Sequence, residues 1–185
     1  MGEFDLIARY FTRPVHRATL GVGDDCALLA PAPGMQLAVS SDMLVQGRHF
    51  LPDVAPRLLG HKALAVNLSD LAASGAQPMA FVLALTLPSV DDAWLAAFAQ
   101  GLFALADASG CELIGGDTTR GPLAIAITVF GSVPLEHALV RSGALDRLGP
   151  HFHDEIKAYQ ANIDINRATL LSALGEAIKA AEQAA

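Results

Sequence analysis

The sequence predicts an α/β (α+β) fold, one sheet with helices packed on one face, followed by a helical appendage. Three observations carry this expectation. Strand-like and helix-like segments follow one another in the order α-β-β-α-β-α-β-β up to Pro134, an order that favours helices layered on a sheet. Hydrophobic residues make up 52% and charged residues 17% of the 185 positions, which allows a real core and argues against wholesale disorder. Beyond Pro134 only helix-like segments follow, so the chain divides into 1–134 and 135–185, with the boundary between Pro134 and Gly149.

The elements follow from local pattern. Phe4, Leu6, Ile7, Tyr10 and Phe11 make Glu3 to Phe11 a short amphipathic helix. A polar loop with Pro14 leads to an expected strand over Cys26 to Ala30, closed by the turn Pro31-Ala32-Pro33-Gly34. Gln36 to Val45 reads as the next strand. Pro56 to Ala73 reads as a helix stopped by Gly75, with Asn67, Asp70 and Ser74 forming one narrow polar stripe at i, i+3, i+7. Met79 to Leu87 is an apolar strand. Ser89-Val90-Asp91-Asp92 opens a helix to about Ala108, its acids placed where the helix dipole favours them. Cys111 to Ile114 is a short strand running into Gly115-Gly116-Asp117, and Leu123 to Val133 is the last. In the appendage, Asp154 to Asn162 and Arg167 to Ala184 read as helical.

Four acidic motifs interrupt this apolar background: Gly23-Asp24-Asp25-Cys26, Ser40-Ser41-Asp42, Asn67-Leu68-Ser69-Asp70 and Gly115-Gly116-Asp117-Thr118-Thr119-Arg120-Gly121. Buried carboxylates are costly unless paired or metal-bound, and several of them beside hydroxyls are what Mg²⁺ requires. Paired glycines let a backbone approach phosphate. No Gly-Lys-Ser/Thr follows them, so this is not a Walker A loop. Asp42 sits within a strand pattern, where Asp is disfavoured. The motifs are expected to gather at one end of the sheet. His49, in a loop after Gly47 and Arg48, reads by itself as an ordinary surface histidine.

The net charge of −7 argues against nucleic acid as a partner. Two cysteines without a CxxC or Cys/His cluster fit reduced thiols. With no leader-like start and no apolar run of membrane-spanning length, the expectation is a soluble cytoplasmic protein without a membrane partner.

Taken in order, Gly2-Glu3-Phe4, Gly23-Asp24-Asp25-Cys26-Ala27-Leu28-Leu29, His49-Phe50-Leu51-Pro52, Lys62 to Ala73 and Leu113 to Pro122 resemble the thiamine-monophosphate kinase family. The resemblance runs from Gly2 to about Pro134. It implies the N-terminal domain of the aminoimidazole-ribonucleotide-synthetase-like superfamily and transfer of the ATP γ-phosphoryl to thiamine monophosphate, giving the diphosphate. It further implies a homodimer sharing a barrel. Asp25, Ser40, Ser41, Asp42, Asp70 and Asp117 would hold Mg²⁺, Gly116 and Asp117 would meet ATP, His49 the thiamine phosphate, and Arg141 the nucleotide. That family's second α/β domain, with an Asp-Leu-Ser-Asp-Gly motif, has no counterpart among these residues, so the implied site is incomplete.

Ala138 to Pro150 and Asn166 to Leu171 instead resemble a helical stretch of the bacterial DNA polymerase III α subunit. From Leu135 onward five Lys/Arg face seven Asp/Glu, which is no footprint for DNA. A chimeric, recombined or engineered chain, or a natural truncated homologue, accounts for both resemblances. The competing reading is a catalytically inactive dimerising scaffold.

Overall fold

The computed structural model describes residues 2–140. Met1–Ala138 belong to one unit. Arg141, the expected helices beyond it and nearly all of the polymerase-like stretches Ala138 to Pro150 and Asn166 to Leu171 lie outside the described residues.

Helix α1 (Glu3–Tyr10) opens the chain. The Asp5 carboxylate accepts the Gly2 N–H at 3.0 Å, and the acids Glu3 and Asp5 suit the positive end of the helix. Leu6 is buried beneath it. The Tyr10 hydroxyl donates to Asp92 Oδ1 at 2.8 Å, tying α1 to the start of a later helix.

The remaining elements are β1 (Met35–Val45), α2 (Pro56–Ala73), β2 (Gln77–Leu87), α3 (Asp92–Ser109), β3 (Glu112–Arg120) and β4 (Ala124–Pro134). The strands form one sheet in the order β1-β4-β2-β3. Strand β4 runs antiparallel to both neighbours, whereas β2 and β3 are parallel. Parallel neighbours need a crossover, and α3 supplies it. Its start is fixed by Asp91, whose carboxylate accepts the Ala93 and Trp94 N–H groups at 2.9 and 3.1 Å, the N-cap arrangement. Gly75, at φ 70°, follows the end of α2 as the sequence predicts.

Alternation along the strands divides the sheet into two faces. Phe81, Leu83, Leu85 and Leu87 of β2, with Ile125, Ile127, Val129 and Val133 of β4, point into one core. Leu59, Leu64 and Leu71 of α2 and Leu95, Phe98 and Leu102 of α3 cover them. Each such side chain, fully buried, contributes about 1.5–3 kcal/mol relative to exposure. Both long helices therefore pack on one sheet face.

The outer face is covered unevenly. Val15, Ala18, Ala27 and Leu29 pack on Ala80, Val82 and Ile114 of β2 and β3. This corrects the expected strand over Cys26 to Ala30. That segment makes a single bridge, with the Leu28 N–H donating to the Leu20 carbonyl at 3.0 Å and the Thr19 N–H to the Leu28 carbonyl at 2.8 Å. Its apolar residues serve as a lid on the sheet rather than as a rung within it. Over β1 the outer face stays open: Val39 and Met43 are each 58% exposed, and Leu37 and Val45 are also exposed.

Both cysteines are free, Cys26 exposed and Cys111 buried. Burial pushes the Cys111 thiol up to about 12, so it behaves as a small neutral core group. Among the described residues no helix is long and apolar enough to cross a membrane.

Candidate functional site

A cleft of about 570 Å³ opens between α1, the loop after Val22 and the start of β3. Phe4 and Ile7 of α1 and Phe11 just beyond it fall at i, i+3 and i+7 and line the cleft, together with Glu3. Gly115, Gly116, Asp117 and Thr118 of β3 line it too, as do Asp24 and Asp25. The Asp25 N–H donates to Asp24 Oδ1 at 2.8 Å, folding the acidic pair onto itself as a tight loop.

The Gly-Gly-Asp segment is not a turn. It lies inside β3, which continues through Arg120. A register shift between Phe81 and Val82 leaves Ile114 without a partner and pairs Gly115 with Val82, Gly116 with Leu83 and Asp117 with Ala84. Because Ala84 lies on the outer face, Asp117 does too. Gly116 has φ 146°, and a Cβ there would strike the Leu83 carbonyl oxygen. Only glycine lets the two strands approach this closely.

The other acidic motifs meet elsewhere. Ser40 Oγ donates to Asp70 Oδ2 at 2.6 Å, joining β1 to α2. The Asp42 N–H donates to Asn67 Oδ1 at 3.1 Å, and Asn67 Nδ2 donates to the Ala63 carbonyl at 3.0 Å. Asn67 is buried with both ends of its amide satisfied, so the polar stripe read on this helix is the seam that fixes it to the edge strand. Ser41 faces the opposite way, its hydroxyl paired with Thr128 Oγ1 at 2.9 Å.

This overturns the expected gathering of the motifs. Asp42, Ile127, Leu83 and Gly116 lie in one row across the sheet. Yet Asp42 is on the edge strand β1 and the helix-covered face, while Asp117 is on the opposite edge and the outer face. Three strand spacings separate those edges, roughly 14 Å. Accordingly, no group of three or more His, Cys, Asp or Glu side chains is placed to hold a metal among the described residues. Asp25 and Asp117 share the cleft; Ser40, Asp42 and Asp70 form a second cluster; Ser41 belongs to neither.

His49 lies in an exposed loop after β1. The Val45 N–H donates to its Nδ1 at 3.0 Å, and its carbonyl accepts from Lys62 Nζ at 2.6 Å. With Nδ1 an acceptor, the neutral ring carries its proton on Nε2. The sequence reading passed over the cleft's apolar lining and over the structural role of Asn67. The i, i+3, i+7 spacing of Phe4, Ile7 and Phe11 was the available signal for the first.

A mixed sheet with two helices on one face and a glycine-backed acidic cleft at the start of β3 defines the class. The chain belongs to the family described as AIR synthase related protein, N-terminal domain, whose model matches residues 23–133. It is similar to the thiamine-monophosphate kinase of Escherichia coli strain K12, 57% identical over 146 residues that cover 77% of this chain and 45% of that protein. It is also similar to the crystal structure of thiamine-monophosphate kinase from Stenotrophomonas maltophilia K279a, 48% identical with TM-score 0.64, over 75% of this chain and 43% of that one. A structure of AaThiL complexed with AMPPCP and TMP matches at 27% identity and TM-score 0.54, over 57% of this chain and 35% of that one. The chain thus spans between about a third and a little under half of the length of these relatives.

Proposed function

We propose that Met1–Ala138 is the nucleotide-binding half of a thiamine-monophosphate kinase, taking Mg·ATP into the cleft beside Gly116 and Asp117. The reaction served would be transfer of the ATP γ-phosphoryl to thiamine monophosphate. The observation that carries this reading is that the bare backbone of Gly115 and Gly116 lines the same opening as several carboxylates. A relative bound to AMPPCP and TMP supports it.

Mg²⁺ fits the donor set. It is commonly held by one or two carboxylates together with phosphate oxygens and waters; Glu3, Asp24, Asp25 and Asp117 line the cleft, and of these Asp25 and Asp117 are the proposed ligands. Bound there, the ion would neutralise phosphate charge, which dominates catalysis of phosphoryl transfer. Ser40, Asp42 and Asp70 of the second cluster, and Ser41 on the opposite face of β1, would contribute only through a larger assembly. His49 offers an Nε2–H suited to a phosphate oxygen of the thiamine substrate, and Arg141 remains proposed for the nucleotide. Free cysteines agree with a cytoplasmic setting. A chimeric origin for residues 135–185 rests on the sequence resemblance alone.

Calorimetric titration of Mg·ATP into the purified chain tests the proposal. Binding is expected with Mg²⁺, to be lost in excess EDTA, and to weaken at least about tenfold in Asp117→Asn, as loss of a charged ligand contact implies. A folded chain that takes up no Mg·ATP rules the reading out.

A second reading, a dimerising scaffold, is favoured by one observation: the apolar outer row of β1, with Val39 and Met43 more than half exposed. Exposed apolar side chains clustered on one strand face favour an interaction surface. Homodimerisation is compatible with both readings. Sedimentation equilibrium should report a dimer at micromolar concentration; a strict monomer there excludes it.

A further inference from the structure

We infer that Phe4 is the platform on which the base of the bound nucleotide stacks, so that the base sits against α1 and the phosphates against β3. The inference rests on the nucleotide reading above and assigns the orientation of the ligand within the same cleft. Phe4 is 83% exposed, more than any other large apolar residue among those described, yet it lines the cleft rather than a free convex surface. Its helix gives it no packing role, because Leu6 is the residue that α1 buries. Phe4, Ile7 and Phe11 follow one another at i, i+3 and i+7, and Gly116 and Asp117 line the same cleft.

The cleft therefore has two kinds of lining. Its carboxylates beside the bare backbone of Gly115 and Gly116 suit a metal–polyphosphate, and its aromatic side chains suit a flat apolar body. A nucleoside triphosphate has these two ends joined through a ribose. No Lys or Arg lines the cleft, so it offers the phosphates a counter-charge only through a cation. This makes the aromatic end the main metal-independent source of affinity. Stacking of a base on an aromatic side chain tolerates any base identity and is worth an order of magnitude or more in affinity when the ring is removed.

The test compares Mg·ATP with Mg·tripolyphosphate, which has the phosphates and no base, on the parent chain, Phe4→Ala and Phe4→Trp. Phe4→Ala should weaken Mg·ATP about tenfold or more and leave Mg·tripolyphosphate unchanged. Phe4→Trp should retain Mg·ATP affinity, with the emission of its new indole quenched by ATP. Equal affinity of Phe4→Ala and parent for Mg·ATP overturns the inference while leaving the nucleotide reading intact. Parallel loss of both ligands in Phe4→Ala also overturns it, since that pattern belongs to a disturbed helix. If the parent chain binds neither ligand, the nucleotide reading fails first and the inference with it.

Discussion

Gly116→Ala is expected to abolish measurable Mg·ATP binding and to destabilise the fold by about 2 kcal/mol or more, whereas Gly115→Ala should do little. The two glycines are adjacent, and their surroundings differ. A Cβ on Gly115 would meet nothing nearer than a Val82 methyl at 3.7 Å, an ordinary contact. A Cβ on Gly116 would land on the backbone carbonyl of Leu83 while the residue holds φ 146°. No rotamer change relieves a collision with backbone, so β3 must move away from β2. That movement carries Asp117 with it and removes the close-approach wall of the cleft. For a chain of this size 2 kcal/mol corresponds to a melting temperature lower by roughly 4–8 °C. Thermal unfolding and titration of the two variants side by side would settle the matter. Equal behaviour of the pair would mean that the register shift at Val82 has no bearing on the site.

What the sequence disclosed depended on whether a local pattern was enough. Helix α2 was read with its observed bounds because Pro56 and Gly75 mark its ends. The strand through Asp117 was read too short, because glycines and a carboxylate depress strand propensity. Pairing with β2 overrode that local weakness. The segment from Cys26 to Ala30 failed in the opposite direction: its alternating apolar residues look the same in a strand and in a loop pressed onto a sheet. The division of the acidic motifs was out of reach for a topological reason. The last strand in sequence inserts between the first and second in space, so the first acidic strand and the Gly-Gly-Asp strand end on opposite edges. Residue order gives no hint of that insertion. The link from Asn67 to Asp42 could be suspected from a polar stripe on an apolar helix, though the strand that receives it could not.

Gly101→Val is expected to be the most destabilising single change in the helical layer, by about 3 kcal/mol or more. In a helix interior glycine costs about 1 kcal/mol relative to alanine, so two glycines in the core helices need a packing reason. They have one. A Cβ on Gly60 of α2 would strike the Phe98 carbonyl of α3, and a Cβ on Gly101 of α3 would strike the Arg57 carbonyl of α2. The helices therefore cross with their backbones in contact at two reciprocal points. Phe98, buried between Phe11 and a stacked Trp94, is held at that crossing. Valine gains back only part of the propensity term and forces the axes apart, opening space around Phe98 and Leu102. Denaturant unfolding of Gly101→Val, Gly60→Ala and the double variant measures both the size and the coupling. The double variant should lose less than the sum of the single losses, because helices already separated by one side chain make room for the second. Strict additivity, or a Gly101→Val chain as stable as its parent, would show that the two backbones do not meet there.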